Sequence, residues 1–458
     1  MNELRSKVAG AVVCSGETGY EEMSACFYPG FEERPLGVVV CANEADVFHF
    51  LQWARDSKLP FAIRSGGHSP AGYSGSSGLV IDLSRLNGIE VDGAGKTAWI
   101  GAGAKLGAVT KVLDGHDLHL PVGSCEHVGI GGFMQGGGYG YTSRMFGIHC
   151  DSVIAARVML FDGRVVRASQ DENADLFWAL RGGTGGNFGV LLQVQYRLHA
   201  LGDVWAFALQ WDTARAPEVI AEIQDKILSG SMYPEFGFML NLCRKGGQPL
   251  LLLQGLYVGQ RSAGLELLGR FDCFSGLSLQ VDRVIRYPAG VELLDCEPFA
   301  IPDFPVDWAM EDHLVFKETG YVGKHVPVAV WAQVVDAYVR GSGDLDMVVL
   351  EPYGGNIRKV PVDENAFIHR QVDFNLYGNV FVGAGEPDLP QARKWLDDAF
   401  ACLQGFTNGH RYQNYPKRNF ANYRWAYWGE SYPVLESIKK KYDPEGLFRF
   451  EQDLYADA

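Results

Sequence analysis

The sequence predicts an α+β fold built from several short sheets, and three observations carry that prediction. In the first 200 residues five short apolar runs, at 35–41, 59–64, 79–83, 97–101 and 152–161, share only two helical stretches between them. The last of these runs closes on Asp162-Gly163, a hairpin turn that sends the chain back antiparallel. Near Leu201 the composition changes, and 205–405 mixes a second series of strand-like runs with helices. With 458 residues the chain is long enough for two or three domains and a large core.

In chain order, residues 1–34 read as a helical or irregular lead-in. The run 35–41 is a buried strand. Asn43 then stands where it caps a helix over 44–57, whose Val47, Phe50, Leu51 and Ala54 share one face. A strand at 59–64 leads into a glycine loop, strands follow at 79–83 and 97–101, and 106–113 is a helix. Beyond 204, strands are expected at 238–242, 250–258, 347–350 and 372–382, and helices at 216–228, 262–270, 327–338 and 389–403. The last fifty or so residues are dense in aromatics.

The two glycine loops hold the chemistry. Arg64-Ser65-Gly66-Gly67-His68-Ser69 follows a strand, so its backbone N–H groups can form a nest for anionic oxygens, with Arg64 as an added cation. Gly123-Ser124-Cys125, Val128 to Gly132 and Gly136 to Gly140 repeat the pattern with a thiol. A loop that only cradles phosphate has no need of an imidazole or a thiol. A flavin, however, can be attached to histidine through its 8α-methyl group and to cysteine through C6. Two other glycine readings fail. Gly101-x-Gly103-x-x-x-Gly107 is off by one from the dinucleotide fingerprint and lacks its strand–turn–helix context, and Gly67-His68-Ser69-Pro70-Ala71 misses the nucleophile elbow at its last position.

Bulk properties narrow the field. A formal net charge of −15 speaks against nucleic acid or an anionic membrane as partner. Nine cysteines, an odd number with no CxxC pair, speak against a zinc site and a disulfide framework, and with no HExxH no metal is expected. No apolar run reaches the length of a membrane span, and the apolar patch at 8–14 is weak as a signal peptide. A reducing, cytoplasmic setting is expected.

Ser65-Gly66-Gly67-His68-Ser69, then Gly123-x-Cys125-x-x-Val128-Gly129-x-Gly131-Gly132 and Gly136-Gly137-Gly138-x-Gly140, resemble the berberine-bridge-enzyme-like, FAD-linked oxidases of the vanillyl-alcohol-oxidase superfamily. Asp175 to Gly183, Gly185 to Val190, Tyr412-x-Asn414-Tyr415 and Lys441-Tyr442-Asp443-Pro444 continue the match in family order. The resemblance implies a PCMH-type FAD-binding domain over 1–204, with its core from about 35, and a substrate domain over 205–405 whose antiparallel sheet is backed by helices. Residues 406–458 would return to the FAD domain. It implies FAD joined to both His68 and Cys125, which in the family raises the redox potential and leaves an open pocket. Ser65, Gly66, Gly67, Ser69, Gly129, Gly132, Gly137, Gly138, Gly140, Val153, Asn187, Gly189, Val190 and Asn414 are carried over as cofactor contacts, as is Arg64.

The same resemblance points to Tyr415 as catalytic base with Tyr412 as its partner. A tyrosine ionises near pH 10, so it must be stabilised as phenolate or coupled to a neighbour to act at neutral pH. By alternation Asp373, Asn375 and Tyr377 share a strand face; Asp373 and Asn375 are expected at the substrate, and Tyr377 falls where many relatives carry Gln or Glu. Glu351 occupies an acidic position of the family and would tune a tyrosine, although its residue type fits a surface carboxylate equally well. Tyr139 either faces the ring or packs. Phe133 departs from the histidine frequent at its place. Val128 stands at a position where, in plant relatives, valine admits oxygen. The expected activity is hydride transfer from an alcohol or activated C–H of a sugar or secondary-metabolite intermediate, with O2 as acceptor. A dehydrogenase or oxygenase, or a non-catalytic flavin-bearing protein, are the alternatives.

Overall fold

The computed structural model describes residues 1–28, 34–230, 232–276, 278–296, 313–383 and 389–455. Part of the expected lead-in, 29–33, lies outside them. The rest of that lead-in is more ordered than its composition predicts. Ala11–Cys14 is a strand that pairs antiparallel with Gly37–Val40, and four residues with one buried side chain are too few for alternation to register.

Gly37–Val40, Leu79–Asp82 and Phe61–Arg64 run parallel in a four-stranded sheet with Ala11–Cys14 at its edge. The helix Glu44–Ser57 starts where Asn43 Oδ1 accepts the Asp46 N–H at 3.1 Å and stops at Lys58, whose φ of 55° breaks the repeat. The strand Phe61–Arg64 delivers the first glycine loop directly from its end. A second, five-stranded sheet is antiparallel throughout, in the order Ile89–Asp92, Thr97–Gly101, Val190–Arg197, Val153–Met159, Val165–Ser169. Its Val153–Met159 and Val165–Ser169 strands are joined through Gly163, at φ 85°, as the Asp-Gly turn requires.

The second half of the chain forms one seven-stranded antiparallel sheet. Its order is Val281–Arg286, Asp203–Asp212, Gln248–Tyr257, Phe236–Lys245, Met347–Pro352, Phe374–Gly383, His313–Val322. One face is packed under the helices Ala216–Ile223, Val328–Gly341 and Leu389–Cys402, with Leu240, Leu350, Leu376, Trp331 and Trp395 in a common core. Strand alternation turns Met239, Glu351, Asn375, Tyr377 and Lys317 to the opposite face. The expected helix over 216–228 is α-helical to Ile223 and widens into a π-helical turn at Gln224–Leu228. Three strands that the sequence reading does not single out, Asp203–Asp212, Val281–Arg286 and His313–Val322, complete the sheet. The architecture is α+β.

Two buried ion pairs tie the parts together. Arg370 forks onto Asp151 with both contacts at 2.7 Å, joining the segment before the last sheet strands to the first half. The Lys439 ammonium, fully buried in the helix Tyr432–Tyr442, reaches Asp443 at 2.6 Å and the carbonyls of Asn187 and Phe448 at 2.7 and 2.6 Å. The aromatic C-terminal segment is thereby fastened to the half that carries the glycine loops.

Candidate active site

A cavity of about 660 Å³ lies between the glycine loops, the open face of the seven-stranded sheet and the C-terminal segment. The loops approach each other backbone to backbone. A Cβ on Gly66 would overlap the Gly129 amide, and one on Gly129 would overlap Ser65 Oγ, so both positions require glycine for this contact. Ser65 Oγ donates to the Ala102 carbonyl at 2.6 Å and steadies the turn. This packing sets His68 Nε2 3.9 Å from Cys125 Sγ in the cavity wall. The His68 ring stacks on Phe27 with centroids 3.6 Å apart. Burial first, then the positive neighbours His127, Lys105 and Lys317, push its pKa down to about 3, so the imidazole is neutral and keeps a lone pair for bonding.

On the sheet side the wall holds Tyr139, Tyr377, Tyr412, Tyr415, Glu351 and Lys317. Tyr415 Oη donates to Glu351 Oε1 at 2.9 Å, and Asn375 Nδ2 donates to the other oxygen at 2.7 Å. Asn375 is in turn fixed by Thr319 Oγ1 at 2.8 Å. Burial raises the Glu351 carboxyl to about 7, against the lowering pull of these hydrogen bonds and of Lys317. Burial and the nearby Glu351 hold Tyr415 well above the usual phenol range, so it is a neutral donor and not a phenolate. Tyr412 accepts from the Gly138 N–H at 2.9 Å and from Asn414 Nδ2 at 3.0 Å. Tyr139 donates to the Pro352 carbonyl at 2.7 Å and stacks on Tyr353. With Glu351 as the expected proton acceptor, which must be ionised to take a proton, reduction of the expected flavin by substrate should quicken as pH rises through about 7. Single-turnover rates across that range should show this limb in the parent and lose it in Glu351→Gln.

Of the expected cofactor residues, His68, Cys125, Ser65, Gly66, Gly67, Ser69, Gly129, Gly132, Gly189 and Asn414 line the cavity. Several others stand elsewhere. Arg64 is held by Asp82 at 2.7 Å and by the carbonyls of Ala25 and Met23, so it adds no free cation to the loop. Gly137, Gly138 and Gly140 lie outside the lining: a side chain there would strike the Phe367 ring, Phe133 with His149, and the Val122 carbonyl. Val153 and Val190 are buried strand residues, and the Asn187 side chain binds Gly183, Thr184 and the Leu454 amide. On the substrate side, Asp373 is taken by Arg358 and by Gln224 at 2.8 Å, and Asn375 serves Glu351 from behind the wall. Lys317 is the wall residue that sequence reasoning missed. The alternation of 313–322 is the signal that could have found it, because Thr319 lies opposite Tyr377 and Lys317 shares their face.

These residues fit a flavin. Gly132 lines the cavity, and a Cβ there would meet no protein atom, so the missing side chain leaves a cradle. The neutral imidazole and the thiol stand together in the wall of the same cavity. Among the described residues no cluster could hold a metal ion, and no helix is long and apolar enough to cross a membrane.

Comparison with known proteins agrees. Residues 35–169 match the family described as FAD binding domain, which sets the class: an FAD-dependent oxidoreductase. Residues 411–454 match the family described as berberine and berberine like, so both ends of the chain are similar to the berberine-bridge-enzyme-like, FAD-linked oxidoreductases. It is 28% identical to the uncharacterized FAD-linked oxidoreductase YvdP of Bacillus subtilis, over 98% of both chains. It is 27% identical to a chitooligosaccharide oxidase of Gibberella zeae, over 97% of this chain and 92% of that one. The solved structure of Physcomitrella patens BBE-like 1 has the same fold, with a TM-score of 0.87 at 24% identity, over 100% of this chain and 99% of that one.

Proposed function

We propose that the protein is an oxidase carrying FAD attached to both His68 and Cys125, which removes a hydride and a proton from an alcohol or activated C–H of a small organic molecule. FAD held in the cavity supplies the two-electron acceptor, and O2 regenerates it with release of hydrogen peroxide. Residues 1–204 and 406–458 hold the cofactor, and 205–405 cover it. The observation that carries this reading is the presence, in one cavity, of the His68–Cys125 pair and the Tyr415–Glu351 hydrogen bond.

That hydrogen bond supports a relay in which a neutral tyrosine serves as base. As a substrate hydroxyl gives its proton to Tyr415 Oη, the tyrosine passes its own to Glu351 Oε1, and no phenolate has to form. The C–O–H group becomes C=O, its carbon-bound hydrogen leaving with the electron pair. Tyr412, turned acceptor by Gly138 and Asn414, and Tyr377, edge-on to Tyr415 at 4.9 Å, orient the ring that does this. Val128 in the wall favours oxygen as the acceptor, and a relative named for a chitooligosaccharide favours hydroxylated substrates.

Acid precipitation of the purified protein, followed by peptide mass analysis, tests the attachment. Yellow colour should stay with the pellet, and the FAD mass should join the His68 and Cys125 peptides. Flavin released to the supernatant overturns the doubly attached state. Hydrogen peroxide should form in proportion to substrate consumed; its absence during turnover refutes the oxidase reading.

A further inference from the structure

Lys317 lines the sheet side of the cavity, and the proposed proton relay does not use it. Its ammonium lies 3.9 Å from the Tyr415 ring centroid and 4.4 Å from that of Tyr377. Cation–π contacts of this kind hold the charge without occupying its three N–H donors. Among the described residues Nζ has no hydrogen bond and no ion pair. The neighbouring acids are already committed. Both Glu351 oxygens accept elsewhere, and Glu318, next in the strand but on the other face, is paired with Arg411 and Lys417. Cys125, the remaining group that can carry negative charge towards Lys317, loses that capacity once its sulfur is bonded to carbon.

An ammonium placed among aromatic rings with its donors unspent is costly to the protein and ready for a ligand. The two tyrosine rings that Nζ touches are apolar in body, and Tyr139, Phe133 and Met239 line the same cavity. We infer that Lys317 is a specificity-determining residue that binds an ionised oxygen of the substrate, so that the preferred substrates are organic acids with a ring or other flat apolar body and a carboxylate. The inference rests on the reading that this face of the cavity is the substrate side. Burial, which pulls the ammonium down to about 8, makes the same point, since an arriving anion would relieve the cost. The cation and the proton acceptor share one tyrosine ring, so an anion held by Lys317 brings the rest of a small molecule beside Tyr415 Oη.

The test titrates the flavin-loaded protein with benzoate and with benzamide at neutral pH, following the visible spectrum. The two probes have the same shape and differ in charge. The parent should bind benzoate at least about tenfold more tightly than benzamide. Lys317→Met, which keeps the stem and removes the charge, should lose that preference, and Lys317→Arg should keep it. Equal affinity for the two probes in the parent, no perturbation by either, or a preference that survives Lys317→Met overturns the inference. Binding alone is read, at equal flavin content in all three proteins. Failure of flavin attachment, seen by peptide mass on the same preparations, is therefore a separate result.

Discussion

Tyr415→Phe should slow flavin reduction by substrate about 10²- to 10⁴-fold, the usual contribution of a positioned acid–base group. The substitution removes the oxygen that receives the substrate proton in the proposed relay and strands Glu351 one ring's length away, still bonded to Asn375. The ring itself stays, so its edge-on contacts with Tyr377 and Tyr412 and the seat of Lys317 persist. Anaerobic stopped-flow reduction, with any compound that bleaches the parent, reads the effect. The flavin spectrum and melting temperature should remain those of the parent. A variant that reduces as fast as the parent removes Tyr415 from the relay.

The second large effect is on stability. Lys439→Met leaves the Asp443 carboxylate buried with no counterion, and also unties the carbonyls of Asn187 and Phe448. Breaking one partner of such a buried pair costs about 3–5 kcal/mol. Asp443 keeps its two backbone donors, Leu447 and Phe448, which limit the loss. Because the helix Tyr432–Tyr442 fastens the aromatic segment that carries Tyr412 and Tyr415, the variant should release flavin fluorescence at lower denaturant than the parent, and its unfolding midpoint should fall. The double variant Lys439→Met with Asp443→Leu, which removes both charges, should recover much of that loss. No recovery would show that the pair acts through its geometry and not its charge.

What could be read from the sequence was local. The His68 and Cys125 loops announce themselves because each reactive side chain lies within a few residues of a glycine run. The helix Glu44–Ser57 is legible from its cap and its apolar face. What depends on sheet register was not legible. Arg64 looks like a free cation beside a glycine turn until parallel pairing sets Asp82 directly across from it. Asp373 belongs by alternation to the face of Tyr377, yet it precedes the strand, where Arg358 and Gln224 take it. Lys317 sits beside Glu318 in a stretch whose adjacent charges resemble a solvated turn. Only its place in His313–Val322, beside the Tyr377 strand, reveals that one points into the cavity and the other away.

The contact between Gly66 and Gly129 has a mechanical meaning as well. Two stretches far apart in the chain meet with nothing but main chain between them, so they behave as a single jaw and not as two fingers. The gap between the imidazole and the sulfur is then a gauge cut into the polypeptide itself, set before any prosthetic group enters. Enlarging either glycine would open that gauge at both ends together, and a change made at one loop would be felt by the other.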